Sequence, residues 1–222
     1  MRLEHYPDRA ALMQGLAAAM AGELRQALLR GAATLSVPGG TTPGPVFDAL
    51  SQVDLDWAHV AVVLNDERWV DEISDRSNTR LLKQRLLVGR AAAARLLPMY
   101  LAVPTPEDGL ATLAGGIWPY LPITVLLLGM GHDMHTASLF PGADRLAEAL
   151  SDTAPLVMAL RADAAGEPRI TLTAPVLKAA KHIHILITGA EKRAALERAL
   201  QLPVHEAPIR VVLDQATVHW AE

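Results

Sequence analysis

The stretch ITVLLLGMGHDMHTASLFPG, Ile123 to Gly142, decides how the rest of the chain is read. Its first part, Ile123 to Leu128, is almost continuously apolar. A strand covered on one face alternates apolar and polar residues, whereas unbroken hydrophobicity marks a strand buried on both faces, as in a parallel sheet. The second part turns abruptly to glycines and ionisable groups. A loop of that kind, beyond the carboxyl end of a buried parallel strand, is where doubly wound sheets bind ligands.

The same grammar extends outward. Thr34 to Val37, Val60 to Leu64, Ile183 to Thr188 and Ile209 to Leu213 are short, branched, apolar runs that read as further strands. Between them, Pro43 to Leu50, Ser77 to Leu87, Thr105 to Trp118, Asp144 to Leu150 and Ala190 to Leu200 have helical composition. Asp8 to Arg30 is a longer helix that Gly31 is placed to end in a left-handed cap. Alternation of strands and helices predicts an α/β fold, a doubly wound, mostly parallel sheet with helices on both faces, a Rossmann-like three-layer sandwich. The 222 residues, 51% of them hydrophobic, contain no repeat, low-complexity block or marked boundary, so one domain spanning 1–222 is expected.

Bulk properties exclude several function classes. A formal net charge of -4 gives no basic footprint for a nucleic acid, and the absence of cysteine rules out disulfides, thiolate zinc sites and a cysteine nucleophile. The amino terminus is polar from its second residue, without the apolar core of a secretory signal, and the longest apolar runs are too short to span a bilayer. A cytoplasmic protein with no membrane partner is expected. The absence of G-x-S-x-G leaves no serine nucleophile elbow.

Four strand-following segments carry the chemistry. In the first, Pro38-Gly39-Gly40-Thr41-Thr42-Pro43, adjacent glycines let backbone N–H groups approach an anion and two hydroxyls add donors. The same residues also suit a plain strand-to-helix turn. In the second, Asp66-Glu67-Arg68-Trp69, carboxylates beside a guanidinium support acid/base work or oxyanion binding, or else form local ion pairs on a solvated loop. Trp69 reads as a loop anchor, and Ser77-Asn78 as a helix cap. In the third, Asp133 stands two residues before His135 among glycines, a general acid/base arrangement. His132 and His135 lack the HExxH context of a zinc site, so no metal is expected. In the fourth, Arg169 and Lys192 are cations near element ends, within reach of an anionic substrate or simply on the surface. His182 and His184 alternate with Ile183 and Ile185 and read as the polar face or entrance of a strand. His5, His59, His205 and His219 belong to no constellation.

Taken together, the four segments resemble the 6-phosphogluconolactonase family, within the wider group of sugar-phosphate isomerases and deaminases that includes glucosamine-6-phosphate deaminase. The resemblance runs from about Thr34 to Lys192. The family's SGGSTP loop stands here as Pro38 to Pro43, its DER as Asp66-Glu67-Arg68, its Ser-Asn pair as Ser77-Asn78, and its GxGxDGHTASLFPG as Gly129 to Gly142. Its RITLT and GxxK segments are Arg169 to Thr173 and Gly189 to Lys192. Two departures stand out: Met134 replaces a glycine before the histidine, and Pro38, which has no N–H, replaces a serine.

The resemblance implies hydrolysis of 6-phosphoglucono-δ-lactone in the oxidative pentose phosphate pathway without a cofactor; the sequence leaves the oligomeric state open, with a monomer favoured. It implies catalytic roles for His135, Asp133, Arg68 and Asp66. The substrate phosphate would lie on Gly39, Gly40, Thr41, Thr42, Arg169 and Lys192, with Arg68 and the amides of the Gly129 to His135 loop facing the oxyanion. Deaminases of the group look like GHIAFNEP after the histidine, whereas this chain reads His135-Thr136-Ala137-Ser138-Leu139-Phe140. The alternatives are a sugar-phosphate isomerase or deaminase using Asp66 to abstract a proton, and a non-catalytic sugar-phosphate sensor.

Overall fold

The computed structural model describes residues 1–222, the side chain of Ala164 excepted. The chain opens with β1 (Arg2–His5), α1 (Arg9–Leu28), β2 (Ala33–Val37), α2 (Gly44–Ser51), β3 (Val60–Leu64) and β4 (Asp66–Arg68). It continues through α3 (Asn78–Arg85), β5 (Arg95–Leu97), α4 (Pro106–Ile117), β6 (Val125–Gly129), α5 (Leu146–Leu150) and β7 (Val157–Leu160). It closes with β8 (Arg169–Leu172), α6 (Ala174–Lys178), β9 (His182–Thr188), α7 (Ala190–Ala199), α8 (Arg210–Leu213) and β10 (Thr217–Ala221).

Among the described residues the strands form two sheets. The larger has seven strands in the order β1-β10-β9-β6-β2-β3-β5, all parallel; the smaller, β4-β8-β7, is antiparallel. Every residue of β2 and β3 is buried, which requires cover on both faces. The α/β expectation therefore stands. From β2 the chain winds outward through β3 and β5, and from β6 it winds the other way through β9 and β10. The reversal lies between neighbours β2 and β6, so the loops leaving these two strands flank the crevice where such sheets bind ligands.

Helix α1 is built as its sequence dictates. Asp8 caps it by accepting the Ala11 N–H at 2.8 Å, and Leu12, Leu16, Met20 and Leu24 recur on one buried stripe against the sheet. The expected left-handed cap at Gly31 is not made. The helix ends with Leu29 in right-handed geometry, and Gly31, at φ 131°, turns the chain two residues later.

Ile209 to Leu213 is a second correction. It is not a strand: Ile209 caps the short helix α8 directly after Pro208, and the last strand is β10. An apolar run of that length fits either state, and a proline before it favours a helix start. Edge strands β1 and β5 and the whole smaller sheet were not legible either, being short, partly polar, or paired only through distant partners.

Between α1, β9 and β10 runs a buried polar seam. Glu23 Oε2 lies 2.7 Å from His184 Nε2, His184 Nδ1 lies 2.9 Å from His219 Nε2, and His219 Nδ1 lies 2.9 Å from the Tyr6 hydroxyl. One assignment satisfies every group: Tyr6 O–H donates to His219, His219 Nε2–H to His184, and His184 Nε2–H to the carboxylate. His184 and His219 are both buried. The expectation that His184 decorates a polar face is thus overturned, and His219 has a constellation after all; only His182, half-exposed, sits at a strand entrance.

Candidate active site

The loop after β2 rises over the crevice. Gly40 takes φ 82°, open to glycine without strain, and Pro43 holds the cap of α2. A Cβ on Gly39 would collide with the Asn78 amide, so this backbone packs directly on a polar side chain of α3. Gly39, Gly40 and Thr42 line the crevice. Thr41 is exposed and outside the lining, its carbonyl accepting the Gly44 N–H at 3.2 Å.

The second segment is a strand, not a solvated loop. In β4, paired with β8, Arg68 lies in register opposite Arg169, and Asp66 opposite Thr171. This pairing brings together cations far apart in sequence. Asp66 is buried, its Oδ2 2.5 Å from Ser138 Oγ and 3.5 Å from Arg169 Nη1. Glu67 has no exposed surface and no free lone pair for catalysis: it accepts the N–H groups of Arg68, Asn78 and Thr79 at 2.7–2.8 Å and the Ser77 hydroxyl at 3.2 Å. It clamps the start of α3, which Ser77 caps as expected. Trp69 is likewise an anchor, its ring 4.9 Å from that of Tyr100.

Arg68 and Arg169 each keep a buried Nε without a partner, and both line the crevice. Two guanidinium side chains lining one opening mark an anion position. Burial lowers the Arg169 pKa, against the upward pull of Asp66, and its guanidinium stands 5.8 Å from the Phe140 ring centroid.

The loop after β6 holds His135. Its Nδ1 is 2.6 Å from Asp133 Oδ1, which also accepts the His135 N–H at 3.2 Å, and its ring packs at 4.1 Å on Phe140. A carboxylate on Nδ1 fixes that nitrogen as the protonated one and leaves Nε2 basic. Nε2 has no protein partner among the described residues, and His135 lines the crevice. Burial raises the Asp133 pKa, but the hydrogen bonds and charge of His135 outweigh it and hold the carboxyl below its ordinary value. A Cβ on Gly131 would strike both the imidazole and the carboxylate, so the pair needs glycine there.

The loop's own amides are largely committed. Gly131 N–H donates to the His135 carbonyl at 2.9 Å, Met134 N–H to the Gly131 carbonyl at 3.1 Å, and His135 N–H to Asp133. These three are therefore unavailable to an oxyanion, contrary to expectation, which leaves Arg68 and the loop's remaining amides as the donors named for it. Met134 takes a positive φ of 64°, and Ala137 shares that region at 49°.

Lys192, on the first turn of α7, also lines the crevice. Its Nζ donates to the Met130 carbonyl at 2.7 Å, and burial lowers its pKa against the pull of Asp133 and Glu191. The crevice, about 400 Å³, thus gathers Asp66, Arg68, His135, Arg169 and Lys192 with the glycine loop. Asn78 and Phe140 also line it and were missed as site residues; the first had an ordinary capping explanation and the second an ordinary core one. No cluster able to hold a metal ion, and no helix long and apolar enough to cross a membrane, occurs among the described residues.

Residues 7–220 match the family model of glucosamine-6-phosphate isomerases/6-phosphogluconolactonase. A 6-phosphogluconolactonase of Rhizobium meliloti is 42% identical over 97% of this chain and 97% of its own, and one of Pseudomonas aeruginosa is 39% identical over 98% and 94%. The solved 6-phosphogluconolactonase of Shewanella baltica superposes with TM-score 0.97 at 35% identity, covering 100% of this chain and 98% of its own. A monomeric glucosamine-6-phosphate deaminase shares the fold at TM-score 0.79 and 15% identity, over 99% and 97%.

Proposed function

The chain belongs to the glucosamine-6-phosphate isomerase/6-phosphogluconolactonase family, and on that footing we propose that it hydrolyses 6-phosphoglucono-δ-lactone to 6-phosphogluconate, the lactone-opening step of the oxidative pentose phosphate pathway, with His135 as general base. The observation that carries this reading is the His135 imidazole, held by Asp133 on Nδ1 and open on Nε2 to a crevice lined by Arg68, Arg169 and Lys192.

The phosphate sits against the Gly39 to Thr42 loop, with Arg169 and Lys192 supplying charge. His135 Nε2 takes a proton from water as its oxygen bonds to C1, and Arg68 faces the oxygen that becomes negative. Collapse of the tetrahedral intermediate breaks the bond to the ring oxygen, which receives the proton from Nε2. The new acid ionises to a carboxylate. Asp133 keeps the imidazole in the basic tautomer and stabilises its protonated form between the two transfers.

Asp66 is held by Ser138 and Arg169, which favours a structural and electrostatic role over the proton abstraction of an isomerase. The test is hydrolysis of freshly generated 6-phosphoglucono-δ-lactone with the spontaneous rate subtracted, beside unphosphorylated glucono-δ-lactone. Fast turnover of the phosphorylated lactone alone is expected. Ammonia release from glucosamine 6-phosphate, aldose–ketose exchange, or binding of 6-phosphogluconate without hydrolysis would each overturn the assignment. Gel filtration and cell fractionation check the accompanying expectation of a cytoplasmic monomer.

A further inference from the structure

Met134 stands directly before His135 with φ 64°, a region that side chains rarely adopt. Three contacts hold it there. Its N–H donates to the Gly131 carbonyl at 3.1 Å, its carbonyl accepts the Ile209 N–H at 3.0 Å, and its half-buried side chain packs on the core. Ile209 is itself fully buried at the start of α8, so Met134 ties the histidine loop to a rigid and distant part of the chain.

Inside the turn the imidazole already has little freedom. Asp133 Oδ1 takes both the His135 N–H and Nδ1, and the His135 carbonyl closes back on the Gly131 N–H. What is left to set is the angle of the whole 131–135 turn to the crevice. Glycine would adopt the same backbone angle without strain but would bring no side chain to anchor it. A non-glycine residue kept in that region persists only where its surroundings over-determine it.

We propose that Met134 is a positioning residue for His135, its side chain and its carbonyl together orienting the turn that aims the imidazole into the crevice. The inference rests on His135 being the base, as proposed above. Misplacing a catalytic group by about 1 Å costs about 10²-fold in rate, and much smaller shifts are expected to be read in kcat.

The experiment compares wild type with Met134→Leu, Met134→Gly and Met134→Val, using His135→Ala as the blank. It measures lactone hydrolysis, melting temperature and the ring ¹⁵N signals of His135. Met134→Leu, not branched at Cβ and of similar volume, is expected to keep kcat near wild type. Met134→Gly should lower kcat by about tenfold at unchanged KM, and Met134→Val, whose branched Cβ resists positive φ, by about 10²-fold. In the spectrum, both proteins should show the Nδ1-protonated ring that Asp133 fixes, with the Nε2 signal of Met134→Gly displaced from its wild-type position as the turn changes its angle to the crevice.

Wild-type kcat and an unmoved Nε2 signal in Met134→Gly would overturn the proposal. So would a joint loss of kcat, KM and melting temperature, the mark of a merely structural residue. If Met134→Val does not fold, the glycine and leucine variants decide. If wild type fails to exceed the His135→Ala blank, it is the lactonase reading that fails, and the ring signals still judge the positioning of His135.

Discussion

His135 and His184 each hold a carboxylate at hydrogen-bond distance, 2.6 Å from Asp133 and 2.7 Å from Glu23, yet the two regions they belong to are built for opposite ends. In the first, one ring nitrogen is held and the other faces a crevice; the side chains are 29% and 43% exposed. In the second, all the ring nitrogens of His184 and His219 are taken by Glu23, Tyr6 and each other, and His184 is 6% exposed. A histidine beside a carboxylate is therefore no sign of catalysis by itself. The free nitrogen and the space before it make the difference.

The contrast can be broken most forcefully at His135. His135→Ala should lower lactone hydrolysis by about 10²–10⁴-fold while leaving the melting temperature close to wild type. Near-normal turnover in that variant would dissolve the distinction between the two regions.

The reciprocal change is His219→Ala. It strands His184 Nδ1 inside the protein and takes the acceptor from the part-buried Tyr6 hydroxyl, at about 1–3 kcal/mol for each group left unsatisfied, so a loss of up to about 6 kcal/mol is expected. Thermal denaturation reads it, and kcat of the surviving folded enzyme should not move.

Acid should act on the seam in the same sense. Burial, then the charges of His184 and Arg2, push the His219 pKa down from 6.5 to about 3, so between these values the unfolded chain binds a proton that the folded one refuses. Stability is fully present above pH 6.5 and falls towards pH 3 by about 1.4 kcal/mol per unit, roughly 2 kcal/mol by pH 5. Denaturant melts across pH, with His219→Ala flattening the slope, measure the effect; an equal slope in that variant would assign the acid sensitivity elsewhere.

The smallest effect is expected from Glu23→Gln. The amide oxygen still accepts from His184, so stability should drop by about 1 kcal/mol or less, with turnover unchanged. A loss of activity there would show that the seam communicates with the crevice.

The comparison also marks how far the sequence could be read. The strands that carry the crevice were legible, because Ile123 to Leu128 and its counterparts announce burial on both faces. So were His135, Asp133 and the glycine loop, but not the backbone angle of Met134. The partners of His184 and His219 were not. Strand β10 sits beside β9 only in the folded sheet, and Glu23 lies on a helix that the chain lays across both. Likewise, Glu67 looks as available as Asp66 in the sequence, yet four donors from its own strand and the start of α3 consume it.

By itself, then, the sequence determined the alternating architecture and the local chemistry of each loop, since hydrophobic period, glycine spacing and near-neighbour pairs such as Asp133 and His135 are properties of short segments. Only the tertiary structure decided which ionisable groups are open and which are spent in packing. Arg68 meets Arg169 through an antiparallel pairing across a long stretch of chain. Lys192 reaches the Met130 carbonyl from the first turn of α7. Such meetings depend on strand order and register, which no local pattern encodes.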